Sequence, residues 1–228
     1  MVSKKELYNV AKNIRVEGET INSALKRAKK VIEDSPEIEF YKWNDNPYIR
    51  KSHNCYSYFL NKLQKGPIKS CKKRPINERC LKPQPGYYAG EPTIRNRKKY
   101  TCKNMTKRVL KDSKFVHLTE FDKNCPKDYY MGALVVHPGK TYHFYRRDKN
   151  GLWSHKDGSA KVSLVDADFK LIKNPKFSNQ KFSDKKYYSD FCNYFCIPND
   201  RNKKFMRHRP RTLKGGKTKR KKRNTRKK

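Results

Sequence analysis

Apolar positions recur along the first third of the chain at helical spacing. Ser3-Lys4-Lys5-Glu6 has the spacing of a capping box and predicts a short helix through about Ile14. A second helix is predicted from Thr20 to Glu33, where Ile21, Ala24, Leu25, Ala28, Val31 and Ile32 form one apolar stripe and Ser35-Pro36 ends it. Residues 36–54 read as irregular. Asn54 then precedes a plausible helix, Cys55 to Leu63, which stops before Gly66-Pro67. The proline-rich stretch from Gly66 to about Lys99 reads as loop, and a helix is expected near Lys103–Leu110. The pattern then shortens to strands: Gly132–Val136, Lys140–Arg147 and Leu152–Lys156, with further strands at Val162–Val165 and Lys170–Ile172. An aromatic segment, Tyr187 to Phe195, closes the pattern before Ile197-Pro198. Helices first and a small antiparallel sheet after them make an α+β fold.

The turn between the second and third strands decides which side chains can cooperate, because a slip of one residue sends every side chain to the other face. Asp148 and Gly151 fit a type I turn followed by a bulge glycine, giving the three-residue loop Lys149-Asn150-Gly151. Asp148 then pairs with Leu152, Arg147 faces Trp153, Tyr145 faces His155 and His143 faces Asp157. One face carries His143, Tyr145, Trp153, His155 and Asp157. A two-residue Asn150-Gly151 turn would put His143 and His155 on opposite faces; the bulged turn is preferred.

Charge adds a partner class. The 228 residues carry a net charge of +37, with 34% hydrophobic and 12% aromatic residues. Aliphatics are few, but large aromatic side chains can still build a modest core. From Arg201 to Lys228 there are 16 Lys or Arg and no acidic residue. This stretch is expected to be a disordered arm. Lys217, Lys219, Arg220, Lys221, Lys222 and Arg223 would bind nucleic acid or another polyanion by counterion release. The expected organisation is an N-terminal helical segment (1–36), an α+β domain (37–200) and the polybasic tail (201–228). No apolar run is long enough to span a membrane, and no secretory signal is expected at the N-terminus.

Seven cysteines, Cys55, Cys71, Cys80, Cys102, Cys125, Cys192 and Cys196, form no C-x-x-C pair, so no metal or cofactor is expected. Cys192 and Cys196 could share a helical face, a weak metal half-site. The cysteines are either all reduced, as in a cytosol, or six are paired with Cys55 free. Cys55 stands out as a thiol opening a helix, where unpaired N–H groups and the positive dipole end favour thiolate. His143 is the candidate base, with His155 or Asp157 to orient its ring. A buried structural thiol and structural histidines are the competing reading.

The set NCYSYFLN (54–61), KPQPG (82–86), YHFYRRDKNGLWSHK (142–156) and FCNYFC (191–196) resembles a group of bacterial and viral proteins associated with the NlpC/P60-like, papain-related thiol hydrolases. The resemblance covers roughly residues 50–198. It implies a papain-like fold, a peptide or amide substrate, and a thiol hydrolase in which Cys55 is the nucleophile, His143 the base and His155 the third residue. Two features depart from that group: Tyr142 and Phe144 flank His143 where small apolar residues are usual, and nothing in the sequence identifies a cell-wall-binding module. The basic tail and the Lys-, Asn- and Tyr-rich composition resemble proteins of giant DNA viruses, which implies a virion or host-cytoplasm location. The alternative is a non-enzymatic basic virion or nucleic-acid-associated structural protein.

Overall fold

The structure, a computed structural model, describes residues 2–75 and 78–199. The polybasic-tail assignments, Lys217, Lys219, Arg220, Lys221, Lys222 and Arg223, lie outside the described residues. The first two helices form as the pattern predicts. In α1 (Lys4–Ile14) the Ser3 side chain accepts from the Glu6 N–H, and in α2 (Ile21–Asp34) Thr20 caps in the same way. The pair buries its own cluster of Val10, Ala11, Ile14, Ala24, Ala28, Val31 and Ile32. Arg27 locks the connection, ion-paired to Glu19 at 2.6 Å and donating to the Ile14 carbonyl.

Three expectations for the next segment are corrected. Residues 36–54 are not irregular but hold α3 (Phe40–Asn44) and α4 (Pro47–Ser52). Asn46-Pro47 is a helix start, since the Asn46 carboxamide accepts from the N–H groups of Tyr48 and Ile49 and proline loses nothing at the first helical position. The helix opened by Cys55, α5 (Cys55–Phe59), is shorter than predicted. Asn61 turns left-handed (φ 45°), its N–H bonds the Tyr58 carbonyl, and the Lys62 N–H bonds the Ser57 carbonyl. That is a Schellman stop. The stretch after Gly66 is not all loop: α6 (Lys65–Lys72) runs through Pro67, tolerated in a first turn whose N–H groups have no partner within the helix. The later helix, α7 (Cys102–Asp112), forms as expected.

The sheet is antiparallel, ordered β1-β8-β2-β3-β4-β5. Its strands are β1 (His117–Thr119), β2 (Tyr129–His137), β3 (Thr141–Arg147), β4 (Trp153–Lys156), β5 (Val162–Ser163) and β8 (Asp190–Pro198), while β6 (Lys181–Ser183) and β7 (Lys186–Tyr187) make a separate hairpin. No strand forms at 170–172; a single bridge, Val165 to Leu171, remains. The bulged turn is the one present: Tyr145 pairs with His155 and Arg147 with Trp153, and Gly151 (φ 80°) donates to the Asp148 carbonyl. The aromatic core between α5, α7 and the sheet holds Tyr56, Phe59, Phe144, Phe195 and Ile197. Gly132 makes that contact possible, because a Cβ there would lie 2.3 Å from the Phe59 ring.

Six cysteines form disulfides, Cys71–Cys80, Cys102–Cys192 and Cys125–Cys196, and Cys55 is the free one. The all-reduced alternative is thereby corrected. So is the shared helical face of Cys192 and Cys196, which lie on a strand in different bridges.

Candidate functional site

Cys55 is presented by a turn held on three sides. Asn54 caps α5 through the Ser57 N–H and donates to the Pro83 carbonyl, which draws the KPQPG segment alongside. That segment is fixed at its far end: the Asp112 carboxylate accepts from the N–H groups of Gly86 and Ala89 and from the Tyr56 hydroxyl. The C-terminal end of α5 is held by a buried polar network. Arg146 ion-pairs with Asp148 at 2.8 Å and donates to the Tyr58 hydroxyl and the Asn61 carboxamide. Three of the sequence segments singled out above thus pack into one structure.

The register of β3 and β4 brings the two histidines together. His143 Nε2 lies 2.9 Å from His155 Nδ1, and both rings are buried, at 1% and 5% exposure. The last β3–β4 pair on this side is Tyr145 with His155, so the expected pairing of His143 with Asp157 does not form and β3 runs past β4 through Phe144 and His143. α5 packs against β3, and the N–H of Phe144, next along the strand from His143, acts to lower the Cys55 thiol's pKa. Asp157 is not the orienting residue: its carboxylate is ion-paired with Lys186.

Hydrogen bonding fixes the tautomers. His155 Nε2 lies 3.1 Å from the Val165 carbonyl, which can only accept, so His155 carries its proton on Nε2 and offers a lone pair at Nδ1. His143 must then donate from Nε2, which leaves Nδ1 as the basic nitrogen. Burial keeps both rings neutral, taking His155 to about 4 and His143 well below the ordinary histidine value, with the neighbouring imidazole and Lys186 adding to the effect on His143. Tyr188 stacks on His143 at 5.2 Å, and the Phe182 ring sits against His155.

The expectation of a thiolate at Cys55 is corrected. Burial pushes the thiol up to about 11, outweighing the N–H groups of Phe144 and Tyr56 and the charge of Lys156. A five-residue helix has too little aligned backbone to reverse that. At rest Cys55 is a thiol and His143 a neutral imidazole.

Lys156, Lys82, Lys186 and Tyr188 escaped the sequence reading. All three lysines lie within electrostatic reach of Cys55 and would favour its ionised form. Only Lys156, adjacent to His155 in WSHK, carried a hint of this by position. Among the described residues, no group of three or more His, Cys, Asp or Glu could hold a metal ion, and no helix is long and apolar enough to cross a membrane.

No family model matches the chain, and no solved structure matches it. The chain is similar to "Insoluble matrix shell protein 1" of Ruditapes philippinarum, 42% identical over 65 residues. The match spans 28% of this chain and 40% of that protein's length.

Proposed function

We propose that residues 37–200 form a papain-related, NlpC/P60-like cysteine hydrolase acting on an amide or peptide bond. The observation that carries this reading is the relay from the Val165 carbonyl through His155 to His143, which leaves Nδ1 of His143 bare on the strand against which α5 packs. In the reaction the Cys55 proton passes to His143 Nδ1 as sulfur adds to the carbonyl carbon. The proton then goes to the leaving nitrogen as the C–N bond breaks, giving an amine and a thioester. Water, deprotonated by the same Nδ1, adds to the thioester. The C–S bond breaks, the acid is released and the thiol is restored. His155 holds the ring and its tautomer throughout.

The tail adds retention on a polyanion such as nucleic acid, through Lys217, Lys219, Arg220, Lys221, Lys222 and Arg223. Three disulfides favour an oxidising setting. Of a virion and a host cytoplasm, they support the virion; the relative's name, that of a shell matrix protein, favours neither.

A second reading, a non-enzymatic basic structural protein, is favoured by that relative's name and by the burial of all three site residues. An activated ester separates the two. With p-nitrophenyl acetate, the hydrolase reading expects a burst of nitrophenol and an acetyl group on Cys55 by peptide mass mapping, lost in Cys55→Ser and His143→Ala. Acetylation spread over surface lysines with no burst supports the structural reading.

A further inference from the structure

Lys156 is fully buried, and its ammonium is held by three backbone carbonyls: Arg50 at 2.8 Å, His53 at 2.8 Å and Gly158 at 2.7 Å. Burial, with Lys82 and Arg50 nearby, pulls the pKa of the Lys156 ammonium down to about 7; a neutral amine, however, has two N–H groups and cannot serve three acceptors, so the three-carbonyl geometry favours the charged form. Two of the carbonyls belong to the end of α4 and the turn that leads directly into Cys55, while Lys156 itself follows His155 on β4. The side chain therefore fastens the element that presents the nucleophile to the strand that orients the base.

A buried cation is normally matched by an anion. Among the described residues Lys156 forms no ion pair with a carboxylate. The acidic group within its electrostatic reach is Cys55, neutral at rest and anionic once it gives up its proton; its charged neighbours, Lys82 and Arg50, are cations, and it also acts on His53. Around Cys55 the remaining titratable groups are Lys82 from the proline-rich loop, Lys186 from β7, Tyr142 and Tyr145 from β3, and Tyr188. Lys186 is already ion-paired with Asp157, and Lys82 donates to the Ser159 hydroxyl from a partly exposed position.

We infer that Lys156 is a positioning residue of the Cys55 site, clamping the α4–α5 turn to β4 and supplying the buried positive charge that meets the thiolate formed when His143 takes the thiol proton. The inference rests on the hydrolase reading. It assigns the thiolate a lysine counter-charge in a site whose imidazoles are neutral at rest. No proton moves through Lys156; all three of its N–H groups stay on the carbonyls.

The test is the pH profile of Cys55 alkylation by iodoacetamide in the full chain. Lys156→Met is expected to move the alkaline rise upward and to slow labelling at least tenfold at pH 8, with Lys156→Arg restoring most of the rate. Lys156→Gln keeps two donors for the carbonyls without the charge, and guards against a methionine variant that fails to fold. It is expected to hold the fold but not the wild-type profile. A wild-type profile in Lys156→Gln or Lys156→Met, with labelling still dependent on His143, overturns this inference and leaves the hydrolase reading standing. Labelling of wild type that does not depend on His143 overturns both.

Discussion

Two neighbouring arginines on β3 show how strongly the local partner set decides the worth of a buried charge. Arg146 is fully enclosed and fully served, by Asp148, Asn61, Tyr58 and the Glu37 carbonyl. Arg147, on the opposite face, has Nε and Nη1 buried without a hydrogen-bond partner, and burial beside Arg27 pulls its pKa down to about 9. An unmet buried donor costs about 1–3 kcal/mol, and an apolar side chain of similar shape removes that cost. Arg147→Met is therefore expected to raise the unfolding free energy by about 1–3 kcal/mol in urea melts, and a loss of stability would show that the guanidinium has a partner in solution. The same contrast governs the histidines. Sequence pattern placed His143 and His155 on one face, but their neutrality depends on burial by Tyr188 and Phe182, which come from distant parts of the chain. The thiolate expectation failed for the same reason. A helix start is legible locally, whereas the desolvation that outweighs it is not.

Among elements, the β3–β4 hairpin was the most legible, because Asp148 and Gly151 select one turn and the turn selects the register. The short helices α3 and α4 were not, since their apolar faces are too brief to show a period. The Asn46-Pro47 cap was the available signal. What neither period nor cap reveals is how α5 meets the sheet. That contact depends on Gly132, where a Cβ would stand 2.3 Å from Phe59 and 2.6 Å from Ile197. Gly132→Ala is expected to cost about 1–3 kcal/mol of stability, measurable by thermal or urea melting, and to slow Cys55 labelling by displacing α5 from β3. Wild-type stability in this variant would mean that the Phe59 ring can move aside and that α5 is loosely held.

At the scale of the whole molecule, the α+β order of helices and antiparallel sheet was readable from composition and period, and the separate α1–α2 hairpin from its stripe. Disulfide pairing was not, because seven cysteines at irregular gaps fix no connectivity; only the fold brings residues 90 and 71 positions apart together, leaving Cys55 alone. The central claim is that this one thiol is reactive and is governed by a neutral histidine base. The most direct measurement is the rate of iodoacetamide alkylation against pH, with the labelled cysteine identified by peptide mapping in wild type and in His143→Ala. Since burial raises the thiol to about 11, keeps His155 near 4 and holds His143 well below its ordinary value, both imidazoles are unprotonated at neutral pH. The rate should climb towards alkaline pH, without an inflection near the ordinary histidine value, at Cys55 alone, and fall at least tenfold in His143→Ala. Equal labelling of several cysteines, or a Cys55 rate indifferent to His143, would contradict the account.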